Sequence, residues 1–195
     1  MSSQPIEKHY ITAQQLLEDS VALAQAVIED GFRPNFIVGV WRGGTPVGIV
    51  VQELLDYFGI ETDHIAIRTS SYTGVDQRAQ EVRVHGLGYL TRSMNAEDRL
   101  LIVDDVFDTG LSIQAILETL ARRSRKNLPE DIRVATAYFK PSRNRTRRIP
   151  DYYVHKNEQW LVFPHELDGM SRDDIAAHKP YLLDAIDAIK ASLSG

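Results

Sequence analysis

The sequence predicts an α/β fold with a central, mainly parallel sheet flanked by helices, and three observations carry the prediction. Short apolar runs with the length and branching of buried strands recur at 36–40, 100–103 and 132–139. Apolar residues at helical spacing follow the first two. Small-residue turns join each of those two runs to its helix.

Near the N-terminus, Thr12 and Gln15 have capping-box spacing ahead of Leu16, Leu17, Leu23, Ala24, Val27 and Ile28. This predicts a surface helix with one apolar face and Gly31 as its stop. Phe36 to Val40 reads as a short buried strand. Arg42-Gly43-Gly44-Thr45-Pro46 follows, with Thr45 as cap and Pro46 at the first position of a helix carrying Val47, Ile49, Val50, Val51, Leu54 and Leu55. A strand is expected at His64 to Arg68, a polar loop from Thr69 to Gln80, and alternation at Glu81 to Val84. The run Leu100 to Val103 precedes a helix bearing Ile113, Ile116, Leu117 and Leu120. Ile132 to Phe139 and Tyr152 to Val154 continue the strands, and Asp184, Ile186 and Ile189 mark an amphipathic C-terminal helix.

With 195 residues and 43% apolar content, the chain is long enough for one sizeable core and short for two, so a single domain is expected. A formal charge of −5 argues against bulk attraction to nucleic acid or an anionic membrane. The absence of cysteine excludes disulfides and thiolate metal sites. No apolar signal region and no long apolar stretch occur, so a soluble cytoplasmic protein is expected. The six histidines lack the paired spacing of a zinc site. The arginines at 143, 145, 147 and 148 read as a solvated loop or an oligomer contact rather than an RNA-binding stripe.

The chemistry concentrates in Leu100 to Ser112. The turn Asp108-Thr109-Gly110-Leu111-Ser112 lies where a helix begins, so free backbone N–H groups and the helix dipole converge on an anion. Gly110 permits close approach, and the hydroxyls of Thr109 and Ser112 suit a phosphate monoester. Asp104 and Asp105, at the carboxyl end of the strand, can accept bonds from vicinal ribose hydroxyls or hold a divalent cation. As bare surface charge the pair is hard to explain directly after a buried run. Arg42-Gly43-Gly44 forms a second anion site, and two phosphate cradles on neighbouring strand ends match a ligand phosphorylated at both ends. Neither loop is a Walker motif or an EF-hand.

Leu101-Ile102-Val103-Asp104-Asp105-Val106-Phe107-Asp108-Thr109-Gly110 closely resembles the phosphoribosyl-pyrophosphate (PRPP) signature of type I phosphoribosyltransferases. Arg42-Gly43-Gly44 fits that family's pyrophosphate loop, and Ser71-Tyr72 fits its mobile active-site loop. The strand ending in Lys140 and the segment Trp160-Leu161-Val162-Phe163-Pro164-His165-Glu166 resemble the 6-oxopurine branch.

The resemblance implies a type I phosphoribosyltransferase fold with a core at about 35–145, a small hood from about 1–12 and 150–170, and a C-terminal helix at about 180–193. It implies transfer of phosphoribose from PRPP to hypoxanthine, guanine or xanthine. Asp104, Asp105, Asp108, Thr109, Gly110, Leu111 and Ser112 would bind PRPP, and Arg42 with Gly43 its pyrophosphate. Asp108 would be the general base at purine N7 and Lys140 the donor to O6. Trp160 would stack on the purine while the Leu161 carbonyl accepts from its edge. Mg²⁺ is the implied cofactor, with Asp105 as ligand and Glu166 as a candidate for a second ion. A homo-oligomer, dimer or tetramer, is also implied. The competing class is a non-catalytic protein of this fold that senses PRPP or a nucleotide.

Overall fold

The structure is a computed structural model that describes residues 7–73 and 80–193; for 71–73, 80 and 81 it describes the backbone alone. In chain order the elements are β1 (Lys8–Tyr10), α1 (Ala13–Glu29), β2 (Phe36–Trp41), α2 (Gly44–Tyr57), β3 (Asp63–Thr73), β4 (Gln80–His85) and the single-turn α3 (Leu90–Ser93). These are followed by β5 (Arg99–Phe107), α4 (Leu111–Ser124), β6 (Asp131–Phe139), β7 (Tyr152–Lys156), β8 (Trp160–Val162), α5 (Arg172–His178) and α6 (Leu183–Leu193). Two compact units result: residues 14–158, and the residues up to Ala13 together with those from Gln159 onward.

The larger unit is built on a six-stranded sheet in the order β4-β3-β2-β5-β6-β7, parallel except where β4 runs antiparallel to β3 at one edge. Leu100, Leu101, Ile102 and Val103 are completely buried, as expected for a strand covered on both faces. Val38, Val40, Ile67, Ile102, Ile113, Ile116, Leu120 and Val134 belong to one apolar cluster. Truncating any of its fully buried members to alanine costs about 2–5 kcal/mol. On β2, a Cβ at Gly39 would make ordinary contact with α2, 3.4 Å from Thr45 Cα.

The chain order reverses between β2 and β5. From β2 the chain crosses through α2 to β3 on one side, and from β5 through α4 to β6 on the other. Adjacent parallel strands whose crossovers diverge leave a crevice beyond their carboxyl ends, where open α/β sheets bind ligands. Gly39 on β2 faces Val103 on β5, so the loop after β2 and the acidic end of β5 share that crevice.

Several expectations are corrected. α2 begins at Gly44, so Pro46 is its third residue; a first-turn proline still removes only an N–H that has no partner within the helix. Thr69 to Thr73, where a loop was expected, continue β3 and pair with β4, the segment whose alternation was read at Glu81 to Val84, with Thr69 opposite Val84; β-branched and polar residues suit an edge pair. Gly74 and the other residues of 74–79, the tip of the expected mobile loop, lie outside the described residues. The strand at Leu100 runs on to Phe107, through the acid pair, because Asp104, Val106 and Phe107 stay paired with β6. Residues 150–158, expected in the hood, fall in the larger unit because β7 pairs with β6.

The smaller unit contains the parallel pair β1–β8, in which Lys8 faces Trp160. Ser171 caps α5 in a capping box with Asp174. Lys8 Nζ and the Tyr10 hydroxyl each donate to Asp174 at 2.9 Å, tying β1 to α5, and the Tyr10 ring stacks on His178. Arg172 grips Asp187 of α6 with both terminal nitrogens, at 2.5 and 2.6 Å. Lys179 is buried, and its ammonium donates to the carbonyls of Phe163 (2.8 Å), Pro164 (3.2 Å) and Glu166. No described residue of α6 is buried.

Candidate active site

β5 delivers its acids to the crevice because the strand continues past its apolar stretch. Asp104 Oδ1 accepts the Asp105 N–H at 3.0 Å, and Asp105 Oδ1 accepts the Val106 N–H at 2.8 Å, so both side chains are aimed by the backbone that carries them. Asp104 keeps partial solvent contact. Burial, followed by the charge of Asp105, nevertheless pushes its carboxyl well above the usual carboxylate range.

The two predicted anion loops meet at this point. A Cβ on Gly43 would fall 1.7 Å from Asp105 Oδ2, and one on Gly44 would fall 2.4 Å from the Val103 carbonyl oxygen and 2.7 Å from Asp104 Cα. Only glycine permits this contact between the loops. Arg42 is exposed beside it, after a cis Trp41–Arg42 peptide, and its carbonyl accepts the Thr45 N–H at 3.2 Å.

Beyond Phe107 the chain turns into α4 through Gly110, whose φ of 76° is left-handed and favours glycine. A Cβ there would also come within 2.7 Å of Thr146 Oγ1 and 2.8 Å of the Phe107 ring. Thr109 Oγ1 lies 3.4 Å from the Leu111 nitrogen. The first amides of α4 have no partner within their own helix, and Ser112 and Ile113 of its first turn border a cavity of about 230 Å³. Asp104, Asp105, Asp108, Thr109, Gly110 and Ser112 line it, gathering most of the predicted PRPP residues. A larger cavity of about 560 Å³ lies between β4 and α4, and of the predicted residues only Leu111 borders it.

Asp108 and Lys140 come together because Phe107 and Phe139 end neighbouring strands in register, and the Lys140 N–H donates to the Phe107 carbonyl at 2.9 Å. Lys140 is 4% exposed. Burial lowers the pKa of its ammonium, against a raising influence from Asp108. One neighbour was missed by the sequence reading: Arg143 Nε lies 2.7 Å from Asp108 Oδ1. Its only signal was its place three residues after Lys140.

Among the described residues no cluster of three or more His, Cys, Asp or Glu side chains is positioned to hold a metal. The acid pair nevertheless suits Mg²⁺, a hard cation that takes one or two carboxylates and draws its other oxygens from substrate phosphate and water. A cation there would offset the burial and the Asp105 charge that together raise Asp104.

In the smaller unit Trp160 is 53% exposed and Leu161 is buried. Glu166 Oε2 accepts the Phe163 N–H at 3.1 Å while its carbonyl is held by Lys179. Ser71 and Tyr72 lie on β3, opposite Val82 and Glu81.

Residues 9–169 match the family described as phosphoribosyl transferase domain. A xanthine-guanine phosphoribosyltransferase of Desulfotalea psychrophila is 29% identical over 172 residues, 87% of this chain and 92% of that protein. A hypoxanthine-guanine phosphoribosyltransferase of Lactococcus lactis is 26% identical over 182 residues, 91% of this chain and 90% of that protein. The crystal structure of a purine phosphoribosyltransferase from Pyrococcus horikoshii superposes with a TM-score of 0.65 at 29% identity, covering 86% of this chain and 99% of that one.

Proposed function

Because this chain belongs to the phosphoribosyl transferase family, we propose that it transfers the 5-phosphoribosyl group of PRPP to a 6-oxopurine base. The products are the nucleoside 5′-monophosphate and pyrophosphate, a purine-salvage reaction. The observation that carries this reading is the convergence of the acid pair, the glycine loop after β2 and the helix N-terminus after β5 on one crevice. The bases hypoxanthine, guanine and xanthine follow the names of the relatives.

In this reading the amides and hydroxyls of Thr109, Gly110, Leu111 and Ser112 hold the 5′-phosphate, and Asp104 and Asp105 accept from the ribose diol. Arg42 and the Gly43 amide face the pyrophosphate, and Arg42 neutralises part of the charge that grows as the anomeric bond breaks. Mg²⁺ is the proposed cofactor; held by Asp105, it supplies further charge neutralisation at the leaving group, with Glu166 proposed as ligand to a second ion. Asp108 takes the purine N7 proton, a role worth about 10² to 10⁴ in rate. Lys140 donates to O6, which selects an oxopurine over adenine, whose amino group accepts no such bond. Trp160 and the Leu161 carbonyl are proposed to stack on the base and read its edge, and Ser71 and Tyr72 to cover the reacting centre.

The chain is proposed to act as a single phosphoribosyltransferase domain, in the cytoplasm and as a homo-oligomer, a dimer or tetramer. No helix among the described residues is long and apolar enough to cross a membrane. No observation favours the non-catalytic sensor.

The test is incubation with Mg²⁺, PRPP and each of hypoxanthine, guanine, xanthine, adenine and orotate, followed by nucleotide chromatography. Monophosphates form from the oxopurines. Product from adenine or orotate alone contradicts the base assignment, and no product from any base contradicts the activity.

A further inference from the structure

The residues after Lys140 form a turn that is fastened on both sides. Ser142 donates its amide (2.9 Å) and its hydroxyl (2.5 Å) to Glu158 at the exit of β7. The Arg143 N–H returns to the Lys140 carbonyl at 3.2 Å, and the Arg145 N–H donates to the Thr109 carbonyl at 3.0 Å. The turn is thus laced to the PRPP loop on one side and to the sheet on the other. Its single arginine between these anchors places Nε 2.7 Å from Asp108 Oδ1, an oxygen buried from solvent that accepts no hydrogen bond among the described residues, so the contact is one of charge.

Two cations therefore flank the Asp108 carboxylate, and they differ. Lys140 is buried at the strand end, where a base carbonyl is proposed to meet it. The Arg143 side chain is 48% exposed, approaches from the solvent side and engages one carboxylate oxygen through a planar, permanently charged group. The charge contact draws Oδ1 toward the turn and leaves Oδ2 as the acceptor for an incoming N–H.

Resting on the assignment of Asp108 as the proton acceptor, we infer that Arg143 is a positioning residue for this transfer. It acts on the purine through Asp108, from a turn held in place by Ser142 and Glu158. Near-attack geometry is sensitive to displacements of about 1 Å, which cost on the order of 10²-fold in rate. An arginine that acts only through the carboxylate therefore leaves PRPP binding untouched.

The experiment is a kinetic cycle on the intact enzyme with Arg143→Ala, Asp108→Asn and the double variant, using labelled hypoxanthine so that low rates stay measurable. Thermal melting of each variant checks folding. Arg143→Ala lowers kcat by about 10- to 100-fold with KM for PRPP within about twofold of the parent. Millimolar methylguanidinium restores part of the lost rate, and Arg143→Lys falls between parent and Ala. In the Asp108→Asn background the same substitution changes nothing, because the group it serves is gone. Parental kcat in Arg143→Ala, a raised KM for PRPP, or an equal loss in both backgrounds overturns the inference while leaving the function standing. Parental turnover in Asp108→Asn overturns the base assignment itself, and the role of Arg143 with it.

Discussion

Replacing Gly43 with alanine tests the meeting of the two loops directly. The new methyl carbon would sit 1.7 Å from Asp105 Oδ2 and 2.2 Å from its Cγ. To reach ordinary contact the carboxylate must withdraw by about 1.5–2 Å. It cannot do so freely, because Asp105 Oδ1 is bonded to the Val106 N–H at 2.8 Å. The side chain end can still turn toward solvent, so the stability cost is at the low end of overpacking, about 1 kcal/mol. The catalytic cost is larger: a ribose and metal ligand moved by more than an ångström lowers kcat/KM for PRPP by about 10²-fold, equivalent to about 2.7 kcal/mol of barrier. Initial rates against PRPP at saturating Mg²⁺, with a melting curve beside them, measure both effects. A variant within about threefold of the parent in kcat/KM would refute the reasoning. Gly44→Ala is the contrasting case, since its methyl would strike the Val103 carbonyl and Asp104 Cα, backbone atoms that cannot turn aside. It lowers the melting temperature before it lowers specific activity.

Asp108→Asn retains PRPP binding by calorimetry and loses about 10² to 10⁴ in turnover; loss of PRPP affinity instead would assign the residue to phosphate. Lys140→Met lowers kcat/KM for hypoxanthine by about 10²-fold or more while KM for PRPP holds, because a base carbonyl loses its buried donor; an unchanged value removes Lys140 from base reading. Lys179→Met deprives the Phe163, Pro164 and Glu166 carbonyls of their shared donor, and at about 1–3 kcal/mol for each buried group left unsatisfied it lowers stability by at least about 2 kcal/mol; denaturant titration reads this. Asp174 titrates below the usual carboxylate range because it accepts from Lys8, Ser171 and Tyr10. With a depressed folded-state pKa, its contribution is complete above the unfolded value of about 3.9 and is lost as pH falls through the folded one. The protection of the β1 amides, taken as the intrinsic exchange rate at each pH divided by the observed one, therefore falls on acidification in the parent, and Asp174→Asn removes that fall.

The parts of this fold legible in the sequence are those where burial writes a pattern. Leu100 to Val103 announces a two-faced strand because every side chain in it is apolar, and the helix behind Gly110 announces itself by Ile113, Ile116 and Leu120. The extension of β5 through Asp104 and Asp105 was not legible, since acids at a ligand site depart from the apolar pattern of the strand that carries them. Alternation at Glu81 to Val84 marked β4, but the continuation of β3 through Thr69 to Thr73 was read as loop, because a polar stretch paired only to an edge strand shows no apolar run. Arg143 was hidden in a cluster of arginines. Its pairing with Asp108 depends on two strand ends meeting in register and on a turn anchored by Glu158, which is 15 residues away and carries no local signature. Spacing within one segment reports what that segment buries; the partners a sheet brings together from distant segments become visible only in the fold.

The proposed function requires that an activated ribose phosphate be held at the carboxyl ends of β2 and β5. A crystal structure with Mg²⁺ and a non-reactive PRPP analogue measures this directly. It is predicted to place the 5′-phosphate on the amides of Thr109 to Ser112, the ribose hydroxyls on Asp104 and Asp105, and the pyrophosphate beside Arg42 and Gly43. A phosphate seated in the larger cavity between β4 and α4, with the turn at Gly110 untouched, would contradict it.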